Sequence, residues 1–76
     1  MEVYEIVGAL VYLEKRKGTH PSTKEIAEQA GCAEATGIKY LQIAVARNII
    51  VQREGHYMTH EVARAFDAKK EVEIEK

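Results

Sequence analysis

The sequence predicts a mainly helical domain that carries one small β-hairpin. Three observations lead to this fold class. Apolar residues recur at helical spacing in the first quarter of the chain. A serine and two glycines in the middle of the chain stand where short helices begin and end. A β-branched run at residues 49–53 then precedes a Glu-Gly turn, which is typical of a short hairpin.

The first helix is predicted over about residues 2–17. Its apolar residues lie at helical spacing and are Val3, Ile6, Val7, Leu10, Val11 and Leu13. With Tyr4 and Tyr12 added, the apolar arc covers roughly half of the circumference, whereas one packing neighbour needs about 100°. The excess predicts a second packing partner, either the C-terminal helix or another subunit.

The second helix is predicted to begin at Ser22, because Ser22 and Glu25 have the spacing of a capping box. Ile26 and Ala27 contribute to its apolar side, and Gly31 ends it. The four-residue spacing of Ala27 and Gly31 permits a tight turn and a close approach of the next helix.

The third helix is predicted over about residues 33–47, with Ala33 at a start that has no side-chain cap. One side of it carries Gly37, Ile38, Leu41, Ala44 and Val45. The opposite side carries Thr36, Lys39, Tyr40, Ile43 and Arg47. Gly37 costs about 1 kcal/mol relative to alanine, and we expect close packing against the second helix in return.

The remaining elements follow from local signals. Asn48 is expected to end the third helix in the left-handed conformation. A strand at 49–53, a turn at 54–56 and a return at 57–58 form the hairpin, and Thr59 is the expected N-cap of a fourth helix. The apolar residues of that helix face the core or a partner and are Val62, Ala63, Ala65 and Phe66. Residues 69–76 are predicted to be a frayed helical extension or a disordered tail.

Length and composition bound the function. The chain has 76 residues, which is one small domain at 1–76 without internal repeat or linker. It has no apolar run of membrane-spanning length and no signal peptide, so we expect no membrane partner. The single Cys32 excludes an internal disulfide and is compatible with a reducing cytoplasm. No nucleophile-base-acid set, P-loop or dinucleotide fingerprint is present, so we predict no enzyme, no cofactor and no small-molecule substrate.

Two further patterns concern charge and metal. Net charge is −1, but residues 35–53 contain three bases and no acid, and a locally basic face suits nucleic acid. The alternative interpretation is a mixed, solvated surface. Cys32, His56 and His60 suggest a metal sensor, but zinc needs three or four ligands in compact geometry, so no metal site is predicted.

The segment PSTKEIAEQAG, followed by AEATGIKYLQIAVARNII, resembles the winged helix-turn-helix superfamily of bacterial and archaeal transcription regulators. The segment GHYMTHEVARAF resembles the closing strand and final helix of that superfamily. The resemblance covers about residues 3–68. It implies a three-helix core, a short wing and a C-terminal helix.

The resemblance also implies sequence-specific binding of double-stranded DNA, with the helix at 33–47 as the recognition helix. The residues expected at the major groove are Thr36, Lys39, Tyr40 and Ile43, with Arg47 near a phosphate. Those expected on backbone phosphate are Ser22, Thr23 and Lys24, and those at phosphate or the minor groove are Arg53 and His56. A homodimer through the first and last helices would present two such helices about one DNA turn apart.

An alternative class stays open. The near-neutral charge and an exposed Ile43 favour a winged helix used as a protein-interaction module within a transcription or replication assembly. The low arginine content of the third helix, its missing serine cap and the minimal wing are also compatible with that alternative.

Overall fold

The computed structural model describes the backbone of residues 1–75 and the side chains of residues 1–69. Over these residues the chain forms four helices and one two-stranded antiparallel hairpin, which confirms the predicted mainly helical class. In chain order the elements are α1 (Val3–Lys17), α2 (Thr23–Ala30), α3 (Glu34–Ala46), β1 (Val51–Arg53), β2 (His56–Met58) and α4 (His60–Glu75).

The core lies between α1, α2 and α3 and is closed by the hairpin. Each of these elements contributes apolar side chains at less than 10 % exposure. They are Ile6, Ala9, Leu10, Ile26, Leu41, Ala44, Ile50 and Tyr57. The helical spacing of this set on α1 is the pattern that predicted the first helix.

Helix α2 begins with the predicted capping box. The backbone amide of Glu25 donates to Ser22 Oγ at 3.1 Å, and the Ser22 amide donates to Glu25 Oε1 at 2.9 Å. The helix ends at Gly31, whose φ of 78° is the left-handed conformation that glycine adopts without steric cost. The start of α3 at Ala33 has no side-chain cap, also as predicted.

The crossing of α2 and α3 depends on Gly37. A Cβ added at Gly37 would lie 3.1 Å from the Cβ of Ala27, closer than ordinary contact. Because the Cβ of Ala27 moves only with its backbone, any side chain at position 37 pushes the two helices apart. This confirms the prediction that Gly37, although unfavourable inside a helix, permits close packing of α3 against α2.

The end of α3 explains why the first strand is shorter than predicted. Asn48 has φ of 61°, the predicted left-handed conformation, and its amide donates to Val45 O at 2.9 Å. The amide of Ile49 donates to Ala44 O at 2.9 Å. These two bonds form a Schellman motif, so Ile49 still belongs to the helix end and the strand begins only at Val51.

The hairpin has a two-residue turn. Arg53 pairs with His56 in the register, which leaves Glu54 and Gly55 at the turn. Their φ values are 51° and 81°, and two positive values are what a type I′ turn requires. His56 therefore belongs to the second strand and not to the turn, where the sequence pattern placed it.

A buried carboxylate joins α1 to the start of α4. Glu14 is only 7 % exposed. Its Oε2 accepts the Thr59 amide and its Oε1 accepts the Thr59 hydroxyl, both at 2.8 Å. The amide of Val62 approaches the same hydroxyl oxygen at 3.4 Å, so Thr59 is the predicted N-cap of α4. Beyond this point α4 packs against both strands of the hairpin.

Helix α1 does not bury its whole apolar arc. Tyr4 is 71 % exposed and Tyr12 is 45 % exposed, so neither reaches a partner that would bury it. None of the helices in the described part of the chain has the length and apolar character needed to cross a bilayer. Helix α4 extends to Glu75. The side chains from residue 70 onward, and Lys76, lie outside the described residues, so a frayed end stays a prediction.

Glu14 gives the first test of this packing. We expect Glu14→Ala to lower the free energy of unfolding by about 2–3 kcal/mol, because it leaves a buried amide without an acceptor. Glu14→Gln keeps one carbonyl oxygen and should cost about half as much. Denaturant unfolding followed by circular dichroism measures both. Glu28→Ala, at an exposed position of α2, is the control and should change stability by less than about 0.5 kcal/mol. Equal losses in all three variants would contradict this role.

Candidate nucleic-acid interface

The start of α2 presents two backbone donors to solvent. Four amides at a helix N-terminus have no intrahelical partner. Here the Glu25 amide donates to Ser22 Oγ and the Ser22 amide donates to Glu25 Oε1, and the first intrahelical bond runs from the Ile26 amide to Ser22 O. Within the described residues the amides of Thr23 and Lys24 have no protein acceptor. Together with the positive end of the helix dipole and the exposed Lys24 side chain, they form the type of site that binds a phosphate.

A carboxylate already stands at this helix start. Lys17 Nζ lies 2.7 Å from Glu25 Oε1. The hydrogen bond from Lys17, and then that from the Ser22 amide, lower the pKa of Glu25 from 4.5 to about 2. Glu25 is therefore ionised at neutral pH and neutralises Lys17. The Ser22 amide, which was expected on a phosphate, donates to Glu25 instead.

The starts of α2 and α3 are joined by a second carboxylate. The Thr23 hydroxyl donates to Glu34 Oε2 at 2.7 Å. This bond joins the starts of the two helices. It also engages the hydroxyl that was expected on phosphate, and it places an acid in the first turn of α3. The Thr23 hydroxyl is therefore engaged within the chain, whereas the amides of Thr23 and Lys24 and the Lys24 side chain are available to a phosphate.

The outward face of α3 is rotated from the face that the sequence predicted. Lys39, Thr36 and Arg47 are exposed, as expected for contact residues. Ala35, Lys39, Gln42 and Ala46 recur at four, three and four residues and are all exposed, so they mark the centre of the outward face. Gln42 was not among the predicted residues, although a glutamine can pair with adenine in two hydrogen bonds. Its spacing of three from Lys39 is the signal that could have identified it.

Tyr40 and Ile43 lie on the flank of this face. Both are half-buried, and Tyr40 packs against the core. The expectation of an exposed Ile43 is wrong, because the outward face is centred near Lys39 and Gln42. The protein-interaction alternative therefore loses the exposed isoleucine that favoured it.

The hairpin residues predicted to contact DNA have partners inside the chain. Arg53 Nε lies 3.1 Å and 3.3 Å from the two carboxylate oxygens of Asp67 in α4, and its Nη1 donates to Gln52 O at 3.1 Å. The ring of His56 stacks on that of His20, with centroids 4.3 Å apart. These contacts fix the hairpin to α4 and to the α1–α2 loop, and the Arg53 charge expected on phosphate is paired with Asp67.

The His20 ring is enclosed between the hairpin and α4. It meets Phe66 edge-on, with centroids 6.0 Å apart, and its buried Nδ1 has no hydrogen-bond partner among the described residues. Burial lowers the pKa of His20 below its ordinary 6.5, and the nearby His56 and Lys17 lower it further, against a smaller opposing effect of Glu14. The folded protein therefore favours the neutral imidazole.

The three candidate metal ligands do not meet. His56 stacks on His20, whereas His60 Nε2 lies 3.0 Å from Asn48 O. Cys32 is half-buried at the turn between α2 and α3, where it packs against the core. In the described part of the chain, no three His, Cys, Asp or Glu side chains are grouped to hold a metal ion.

Among the residues predicted to bind DNA, three described side chains carry positive charge without an ion pair: Lys24, Lys39 and Arg47. Comparison with protein-family models, with curated proteins and with solved structures finds no match to this chain. Its function is therefore inferred from the geometry described above.

Glu25 predicts an acid-dependent loss of stability. A carboxyl whose pKa is lowered by folding stabilises the folded state above its ordinary pKa, and this stabilisation disappears as pH falls from about 4.5 to about 2. At neutral pH we expect Glu25→Gln to unfold at a lower denaturant concentration than the wild type. This difference should disappear as the pH approaches about 2. If the difference in unfolding midpoint between Glu25→Gln and the wild type is the same at every pH, the Lys17–Glu25 contact is contradicted. Glu28→Gln is the matched control.

His20 predicts a second pH effect, nearer neutrality. Because folding lowers its pKa, its neutral form stabilises the folded state above pH 6.5, and stability falls as pH drops below that value. His20→Phe keeps an aromatic ring against His56 and removes the titration. Thermal unfolding between about pH 7.5 and about pH 5 should show a smaller loss of stability for this variant than for the wild type. An equal loss in both proteins would show that His20 does not contribute.

Proposed function

We propose that this chain is a winged helix-turn-helix protein that binds double-stranded DNA and acts as a transcriptional regulator. The observation that carries the proposal is the arrangement of α2 and α3. They cross closely at Gly37, their starts are joined by the Thr23–Glu34 bond, and α3 directs Lys39 and Gln42 away from the core. A helix held in this way can enter the major groove while the preceding helix rests on the backbone.

The contacts divide between base edges and phosphates. In this proposal Lys39, Gln42 and Thr36 contact base edges, and their exposure and polarity support that role. Arg47, at the C-terminal end of α3, is placed for a phosphate. The free amides of Thr23 and Lys24 hold a second phosphate at the start of α2. Ile43, on the flank, offers an apolar edge to a thymine methyl group.

The hairpin makes a smaller contribution in this proposal. Arg53 uses Nε and Nη1 on Asp67 and Gln52, and His56 is stacked on His20. In this proposal the hairpin therefore lies beside the minor groove or a phosphate, and the Arg53 charge is already paired with Asp67. DNA binding by this face is passive, and occupancy of a promoter would exclude the polymerase.

A protein-interaction module is the second candidate, and the two carboxylates at the helix starts favour it. Glu25 stands at the start of α2 and Glu34 at the start of α3, where a phosphate would approach. Both repel phosphate, and the net charge of −1 adds no compensating attraction. An interface of this type would select a partner protein with complementary basic groups.

Titration of a labelled random-sequence duplex across salt concentrations distinguishes these candidates. On a random-sequence duplex binding is non-specific, and the three cationic side chains without an ion pair, Lys24, Lys39 and Arg47, all meet phosphates. The logarithm of the binding constant should then fall against the logarithm of salt concentration with a slope of about −3. Fluorescence anisotropy measures the slope. Lys39→Ala combined with Arg47→Ala should weaken binding and reduce the slope to about −1 if both bases contact phosphate.

The matched control removes the same charge elsewhere. Arg64→Ala combined with Lys69→Ala, at exposed positions of α4, should leave the slope unchanged, and circular dichroism checks that both double variants fold. If the Lys39 and Arg47 variant binds as the wild type does, the proposed reading face is wrong. If the wild type shows no binding even at low salt, the protein-interaction candidate replaces DNA binding.

A further inference from the structure

Gly8 stands at the centre of the outward face of α1, and none of the described residues packs closely enough against it to require a glycine there. It lies in the middle of a helix, where glycine is less favourable than alanine. A Cβ added at Gly8 meets no atom within 4 Å. Gly37 is different, because the Cβ of Ala27 occupies the space beside it. The requirement for Gly8, if it is a packing requirement, lies outside this chain.

Two exposed tyrosines flank this glycine. Tyr4 precedes Gly8 by four residues and Tyr12 follows it by four, so all three lie along one face of the helix. Tyr4 is 71 % exposed and Tyr12 is 45 % exposed. Large aromatic side chains on both sides of a bare backbone form a shallow apolar notch, which is a surface that suits a partner.

The charges along α1 indicate the partner. Exposed Glu2 and Glu5 lie at its start, and exposed Lys15 and Arg16 lie in its last turn. Two copies of α1 packed antiparallel bring the acidic end of each against the basic end of the other. Two copies packed in parallel bring like charges together at both ends, which is unfavourable.

We propose that α1 packs antiparallel against α1 of a second copy of this chain, and that the two helices cross at Gly8. Tyr4 and Tyr12 are equally distant from Gly8, so a two-fold axis at Gly8 places Tyr4 of one copy beside Tyr12 of the other. The absent side chain lets the two backbones approach closely, as Gly37 does inside the chain. Phe66 of α4 packs against His20 of its own chain, so the proposed contact is centred on α1.

Sedimentation equilibrium without DNA tests the proposal, so its outcome is independent of the proposed DNA binding. The wild type should dimerise reversibly. Gly8→Leu should weaken the dimer by about tenfold or more, which corresponds to about 1.4 kcal/mol. Gln29→Leu, which adds the same side chain at an exposed position of α2, should leave the dimer unchanged. A monomeric wild type, or an unchanged Gly8→Leu dimer, overturns the proposal.

Gly8→Ala separates a packing role from a folding role. Alanine is the better helix former, so this variant should raise the unfolding midpoint measured at a protein concentration where the chain is monomeric. The same variant should weaken the dimer, because the added methyl group stands between the two helices. Unchanged or stronger dimerisation would contradict close approach at Gly8.

Reversal of the charges tests the antiparallel orientation. Glu2→Lys and Lys15→Glu should each weaken the dimer, because a two-fold axis at Gly8 puts Lys15 of one copy one residue from Glu2 of the other, and each variant then brings like charges together. The combined variant restores opposite charges and should recover most of the wild-type dissociation constant. A parallel pair gains nothing from the combination, so the absence of recovery would overturn the orientation.

Discussion

The close crossing of α2 and α3 at Gly37 is the constraint on which the rest of the structure depends. A Cβ at position 37 would lie 3.1 Å from the Cβ of Ala27, so a larger residue there requires the two helices to move apart. This contact sets the rotation of α3 about its axis. Leu41 and Ala44 consequently point into the core, and Lys39 and Gln42 point outward. The core and the candidate interface are therefore two faces of one helix whose orientation is fixed at a single point.

The hairpin depends on polar and aromatic contacts with its surroundings. Its strands have three residues each, too few for an isolated hairpin to be stable. Arg53 holds it to Asp67 in α4, and His56 holds it to His20 in the α1–α2 loop. These contacts have a cost for the proposed function, since groups used to stabilise the hairpin are not free to bind phosphate. In a small domain, stability and recognition compete for the same few side chains.

Local signals in the sequence predicted most of the elements, and long-range pairings account for what was missed. The capping box at Ser22, the left-handed Asn48 and the close packing of Gly37 each depend on a few neighbouring residues or on one contact that only glycine permits. Glu14 was missed because a glutamate near the end of an amphipathic helix ordinarily faces solvent. Its partner, Thr59, lies 45 residues away, and no periodicity reports such a pairing. The sequence prediction also placed the outward face of α3 a fraction of a turn away from its position in the structure. Which side of α3 is buried depends on the other elements that pack against it, and the sequence of α3 alone does not report them.

The contact between Asn48 and His60 has a consequence for how this chain can vary. The His60 ring meets the Asn48 carbonyl oxygen at 3.0 Å, across 12 residues of chain. The segment between them, which includes the whole hairpin, is therefore a loop whose two ends are already brought together by the helices. The entropy of closing such a loop grows only slowly with its length. The turn at Glu54 and Gly55 can thus be lengthened, while Ile50, Tyr57 and Met58 stay in the core, and the same helical framework then holds hairpins of different reach.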